Sequence, residues 1–276
     1  MTSLHHAEQR FARREFLTTC IILTGGALLG ASGRARAQLA SAGPASPALI
    51  EDLVAANHIL ADQGVVDGYG HVSTRHDKDP NRYLLARSVA PELVTSRDIL
   101  EFDLDSDPVD AGGRKLYLER YIHGEIYKVR PDVNSVVHHH SPAVIPFGVT
   151  KVPMRPVFHM AAFVGAGVPV FEIREAGGVT DMLVRTPQLG AALARTLGDK
   201  PAALMRGHGA VVVGSSVQEA VARSVYLQVN ARLQAQAIAL GGEITYLDAG
   251  EVRAIGGLGG YDRAWELWKR KAMAGQ

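Results

Sequence analysis

The chain has a single cysteine among its 276 residues, Cys20. Beyond residue 37 there is none, so the rest of the chain can form no disulfide and offers no thiolate to a metal. An ion bound there must use imidazole and carboxylate. An excess of one charge is missing as well. The 29 Lys and Arg stand against 28 Asp and Glu, and they become 24 against 26 once residues 1–37 are set aside. This balance gives no basic surface for nucleic acid. No internal repeat is visible. The apolar run Cys20–Gly30 is short and broken by glycines, a poor match to a bilayer-spanning helix.

That run follows Arg13-Arg14-Glu15-Phe16-Leu17 and precedes Ala35-Arg36-Ala37. A twin arginine, an apolar stretch and a small-x-small site in that order are the parts of an export signal. Residues 1–37 are therefore expected to be a twin-arginine signal peptide, cut after Ala37. The mature protein is expected in the periplasm, exported folded and free of the membrane, with a cytoplasmic location as the alternative. Residues 38–47, rich in Ala, Ser, Gly and Pro, read as a linker. Residues 48–276 read as one catalytic domain large enough for a full core.

Periodicity predicts helices over 47–62, 118–129, 186–197 and 216–240, with further helices from Pro142 and around Trp265 and Trp268. Leu118, Ile122, Ile126 and Val129 are the expected buried side of the second. Val217, Val221, Val225, Val229, Leu233 and Leu240 are the expected core stripe of the long one. Strands are expected near 71–73, 82–87, 99–102, 136–140 and 168–173, and on both sides of Gly207-His208-Gly209. Elements alternate but many turns are short, which points to a three-layer α/β/α domain around a largely antiparallel sheet.

The chemistry concentrates in Val136-Val137-His138-His139-His140-Ser141-Pro142 and Arg206-Gly207-His208-Gly209. On a strand, His138 and His140 share a face and His139 takes the other. With His208 on a glycine-flanked turn they make a three-nitrogen site for a divalent cation, with positions open to water or substrate. A surface run of histidines is the competing reading. Glu119 and His123 lie four apart on the preceding helix. Glu119 can complete the metal shell or carry a proton, unless the pair is simply solvated.

The order Gly-x-Val-Ser, Glu-x-x-x-His, His-x-His-Ser-Pro and Gly-His-Gly resembles the class II aldolase/adducin family, over about residues 48 to 245. The resemblance implies one divalent ion per subunit on His138, His140 and His208. Zinc is usual, manganese occurs in one branch, and cobalt or iron are further candidates. Glu119 would be ligand and acid/base. The layered domain would assemble as a homotetramer with active sites between subunits.

The departures narrow the substrate. Gly70-His71-Val72-Ser73 stands where the family's sugar-phosphate aldolases read Gly-Asn-x-Ser. Ala86-Arg87-Ser88 and Tyr117-Leu118-Glu119 replace their small phosphate donors, so no phosphate nest is evident. Arg87 and Tyr117 suit a planar acid; a surface charge and a core ring are the plainer readings. His71, Ser73 and His123 complete the substrate-side set. His159 aligns with the family's proton-donating Tyr, contributed across a subunit boundary, unless it is a buried structural histidine. Together the motifs resemble the branch that decarboxylates hydroxylated aromatic or pyridine dicarboxylic acids. The expected activity is a metal-dependent carbon–carbon lyase acting on a small acidic substrate. Retro-aldol cleavage of a non-phosphorylated hydroxy acid or sugar is the alternative, and a non-catalytic adducin-like binding module is a further one.

Overall fold

The computed structural model describes residues 39–256 and 260–274. The expected signal peptide and its cleavage site lie outside them. Helix α1 (Pro47–Asp62) starts where Ser46 accepts the amide of Leu49 and Pro47 occupies the first turn, an arrangement that uses both a capping oxygen and a residue lacking an amide proton. Strands β1 (His71–Arg75), β2 (Arg82–Ala86) and β3 (Ile99–Asp103) form a meander. After a 3-10 turn at Leu118–Arg120 comes α2 (Tyr121–Val129), then β4 (Ser135–His139) and α3 (Ile145–Val149). A 3-10 segment at His159–Ala166 leads to β5 (Val170–Phe171), α4 (Ile173–Gly177) and α5 (Pro187–Leu197). Strands β6 (Ala202–Met205) and β7 (Gly209–Gly214), then α6 (Val217–Leu240), α7 (Ala249–Gly256) and α8 (Asp262–Ala272), complete the order. No helix of the described residues is long and apolar enough to cross a membrane.

The seven strands lie in the order β3-β2-β1-β4-β7-β6-β5. Every pairing is antiparallel except β5 with β6. Period-2 alternation sorts the side chains onto two faces. Val72, Val137, Ala210 and Val212 join one core with α1, α6 and α8. Val136, Val211, Val213 and Tyr83 join another with α2 and α5. Helices thus cover both faces of the sheet, and the domain is a three-layer α/β/α sandwich of the expected kind.

Some elements depart from expectation. The segment expected as a helix over 118–129 begins as a 3-10 turn, with Glu119 at φ −91° and ψ 17°. Its ends, Leu118 and Val129, are exposed; only Ile122 and Ile126 face the core. Ser141-Pro142 forms a turn, and the helix starts at Ile145, because Pro146 lacks a donor and suits a first turn. The strand expected over 168–173 shrinks to two residues. In α6, Leu233 and Leu240 are exposed, whereas Ser224, Gln228, Asn230 and Gln234 are buried. Helix α7 was not anticipated. The 38–47 segment, read as a loose linker, is pinned to the sheet where it is described. Glu101 accepts from Ser41 Oγ at 2.5 Å and from the Ala42 amide at 2.8 Å, Arg82 donates to the Ala40 carbonyl, and Asp77 accepts from the Ser46 amide.

Candidate metal centre

Strand β4 delivers the first two imidazoles. Its register against β1 sets His138 opposite His71, and against β7 opposite Val211. His138 and His140 turn toward the α2 side, while His139 turns to the other face and accepts the Ser141 amide on Nδ1. The third imidazole depends on glycine at two points. Gly207 has φ +64°, a backbone state that side chains with a Cβ disfavour. A Cβ on Gly209 would overlap the carbonyl of His139, so only glycine lets β7 start this close to the histidine strand.

The result is a tight cluster. One donor atom from each of Glu119, His138, His140 and His208 lies within 4.8 Å of the others. His140 Nε2 is 3.0 Å from His138 Nε2 and 2.9 Å from His208 Nε2. Glu119 Oε2 is 3.4 Å from His138 Nε2 and 3.5 Å from His208 Nε2. Donors about 2.1 Å from a shared ion stand roughly 3.0 to 3.4 Å apart for coordination angles between square and tetrahedral. Glu119 and His138 are buried and His140 and His208 are half-buried, so the cluster opens on the His140–His208 side.

The outer partners fix which nitrogen is free. His138 Nδ1 donates to the Ala210 carbonyl at 3.1 Å, and His208 Nδ1 donates to the Met182 carbonyl at 3.0 Å. Both rings therefore present Nε2 as a lone pair. A proton on His140 Nε2 would serve those two rings but leave the Glu119 carboxylate facing lone pairs. A single cation satisfies all four groups. Three nitrogens and one carboxylate oxygen, with no sulfur, suit zinc, manganese, iron or cobalt.

Charge follows the same geometry. Burial would raise the Glu119 carboxyl, but His138 and His208 hold it well below the usual carboxylate range. Burial and the neighbouring His138 and His208 push His140 down to about 4. His208 moves up against the effect of burial, because it faces Glu119 and the Met182 carbonyl.

The other expected residues divide into groups. His71 sits beside the cluster, its ring 5.1 Å from that of His138 and 4.6 Å from that of Tyr117. Tyr117 offers its face only, since its hydroxyl donates to the Val89 carbonyl at 2.5 Å. Arg87 is paired with Asp98 at 2.5 Å, so part of its charge is already neutralised. Ser73 and His123 are fully buried and bonded to each other at 2.6 Å; neither opens onto a substrate. His159 is exposed on the 159–166 segment, its ring against Phe158, and it does not join the cluster within one protomer.

Three participants escaped the sequence reading. Met182 and Val184 act through backbone atoms, which leave no mark in a side-chain pattern. Tyr127 bonds to Ser73 at 2.8 Å; its spacing of four from His123 on α2 was the available signal.

Known proteins resemble this chain in sequence and fold. The class II aldolase and adducin N-terminal domain model matches residues 51–235, which contain all four donors. The chain is 34% identical over 251 residues to the protein named decarboxylase tropJ of Talaromyces stipitatus, covering 82% of this chain and 94% of that one. It is 30% identical over 236 residues to the 3,4-dihydroxyphthalate decarboxylase of Arthrobacter keyseri, covering 80% and 91%. The L-fuculose 1-phosphate aldolase of Glaciozyma antarctica superimposes with a TM-score of 0.66 at 22% identity, covering 84% of this chain and 92% of that one; this is a likeness of fold. The fold, the matched domain and relatives aligned over most of their length agree: the chain belongs to the class II aldolase and adducin family.

Proposed function

We propose that this protein is a divalent-metal-dependent decarboxylase of a hydroxy-aromatic acid that carries a second acidic group. The observation that carries the reading is the convergence of three imidazole Nε2 atoms, spaced 2.9 and 3.0 Å, beside the Glu119 carboxyl, whose Oε2 lies 3.4 and 3.5 Å from two of them. The decarboxylases named among the relatives, one of them acting on 3,4-dihydroxyphthalate, support it. All four donors are present and converge, which weighs against a purely binding role. The side chains replacing the family's phosphate donors weigh against a sugar phosphate.

An ion held by His138, His140, His208 and Glu119 would supply a Lewis acid that stabilises negative charge on a substrate oxygen. The protein residues do the rest. His138 and His208 are held in one tautomer by the carbonyls of Ala210 and Met182. Glu119, fixed by the Val184 amide at 2.9 Å, takes the proton of the substrate hydroxyl next to the carboxylate. It returns that proton to the ring carbon as the bond to the carboxyl carbon breaks and CO2 leaves. A proton from solvent restores the hydroxyl on release. The Tyr117 ring face and His71 border the space where an aromatic acid would lie.

The ion is proposed to be zinc or manganese. The protein is proposed to act as a tetramer in the periplasm. Tyr69, two residues before His71, and Leu118, next to Glu119, are 71% and 55% exposed, which suits a neighbouring protomer packing beside the site. The exposed His159 could then serve a neighbour's substrate. The test is to purify the chain, measure bound metal, and assay CO2 against aldehyde release from hydroxybenzoates, 3,4-dihydroxyphthalate and hydroxy acids. Metal-dependent CO2 supports the reading, and aldehyde without CO2 overturns it. Scattering mass and a reporter fused after Ala37 test assembly and location.

A further inference from the structure

A line of buried polar side chains runs inward from the metal cluster. His71 Nδ1 is 2.6 Å from His123 Nε2, His123 Nδ1 is 2.6 Å from Ser73 Oγ, and Ser73 Oγ is 2.8 Å from Tyr127 Oη. Ser73 and His123 are 0% exposed, Tyr127 1% and His71 4%. With all four side chains buried, the direction of each bond is a matter of counting the donors among them.

The count runs one way. Among the described residues Ser73 Oγ is the one hydrogen-bond partner of the buried Tyr127 hydroxyl, so the Tyr127 proton goes to it. The Ser73 proton must then go to His123 Nδ1. With Nδ1 accepting, the neutral ring of His123 carries its proton on Nε2 and donates it to His71 Nδ1. The His71 ring is left with its proton on Nε2. Both rings are neutral on the same count, since each Nδ1 accepts a hydrogen bond and so carries no proton. Among the described residues His71 Nε2 has no hydrogen-bond partner, and it is not sealed from solvent. It belongs to a ring packed against His138 and Tyr117, on the face of the sheet that carries the metal donors.

We propose that Tyr127, Ser73 and His123 form a one-way hydrogen-bond chain that fixes an N–H on His71 Nε2, and that this N–H docks a carboxylate of the substrate beside the metal. The inference rests on the decarboxylase reading for the class of ligand. Tyr127, Ser73 and His123 are positioning residues; His71 makes the contact. A neutral ring with one fixed donor matches one carboxylate oxygen. It lacks the charge and the several donors that a phosphate dianion needs. The same locking makes His71 unable to accept a hydrogen bond, so a neutral hydroxyl in that position gains less than an anion.

The experiment uses zinc-loaded mature protein labelled with 15N. Imidazole 15N–1H correlation spectra are expected to show His71 in one tautomer, with the proton on Nε2; a proton on Nδ1 overturns the proposal. Phthalate, which has no hydroxyl to drive decarboxylation, and catechol, which has no carboxylate, serve as calorimetric probes. His71→Phe is expected to weaken phthalate about tenfold and leave catechol within twofold. No loss, or equal loss for both probes, overturns it. Tyr127→Phe removes the proton that sets the direction, so the Nδ1–H form of His71 should appear; an unchanged tautomer overturns the positioning role. Failure to release CO2 from any substrate would sink the decarboxylase reading while leaving these three readouts interpretable.

Discussion

The backbone amide of Val184 donates to Glu119 Oε1 at 2.9 Å, and two residues earlier the Met182 carbonyl accepts from His208 Nδ1 at 3.0 Å. One irregular segment between α4 and α5 therefore orients a carboxylate and an imidazole of the same cluster. It is held in a costly shape, since Met182 has φ +71°, a region that residues other than glycine rarely occupy. Removing only the amide proton tests its role. Val184→Pro is expected to weaken metal binding about 10–100-fold, the usual cost of losing an outer partner of a ligand. Competition with a chromophoric chelator measures it, and native circular dichroism with unchanged affinity would show the amide to be idle.

Metal removal should register in stability. Filling the cluster at a free-ion concentration one hundred times its dissociation constant stabilises the folded state by about 2.7 kcal/mol. For a domain of this size that is a rise in Tm of roughly 5–10 °C. Calorimetric scans of chelator-treated protein, with and without zinc or manganese, give the shift. Identical midpoints would mean that the four donors hold no ion.

How far the sequence reached can be judged on particular residues. His138 and His140 were legible because a strand has a period of two and the histidines sat next to apolar Val136 and Val137. His208 was legible from its glycines. The helices followed from the spacing of apolar side chains, and the sheet from alternating elements joined by short turns. What stayed hidden was whatever backbone atoms do, as at Met182 and Val184, and whatever pairs at a distance, as with Arg87 and Asp98. A charged residue on a strand gives no sign of its partner eleven positions on. Ser73 and His123 appeared among the substrate-side residues, but only three-dimensional burial shows that they are already committed to each other.

Helix α6 illustrates the same limit and yields a prediction. Its stripe was read as apolar throughout, yet Asn230 is fully buried. Its Oδ1 accepts the Val157 amide at 3.0 Å and its Nδ2 donates to the Arg155 carbonyl at 2.9 Å. Asn230→Leu would bury both backbone groups without partners, at about 1–3 kcal/mol each. A loss of roughly 2–5 kcal/mol in urea unfolding is expected. A loss under about 1 kcal/mol would mean that water replaces the amide.

Acid should destabilise the ion-free protein through histidines held neutral. Burial, and next the charge of His138, keeps His123 and His139 each near pH 3 for protonation. In the unfolded chain an imidazole titrates near 6.5. Between about pH 3 and 6.5 these two rings together bind about two more protons in the unfolded state than in the folded one, so their contribution to stability rises with pH and is complete above 6.5. The two groups together cost about 2.7 kcal/mol per pH unit on the way down. Urea midpoints at several pH values between 7.5 and 5 measure the slope, and His139→Leu should make it shallower. A flat profile would show that both rings take up protons in the folded state.

The segment ahead of α1 gives the last test. Glu101 on β3 holds Ser41 and Ala42, and it also lies 3.7 Å from Arg82 Nε. These contacts are half-buried at the sheet edge, so their removal should change global stability by about 1–2 kcal/mol. Their effect is local, because two bonds to one carboxylate hold residues 41 and 42 against the sheet edge. Glu101→Ala should free the backbone around Ala40–Gly43 for proteolysis while leaving the domain intact. Limited digestion followed by mass spectrometry reads the cut sites. Cleavage there at the wild-type rate would mean that the Ser46–Asp77 and His76–Gly43 contacts, at 2.9 and 3.0 Å, hold the segment without help from Glu101.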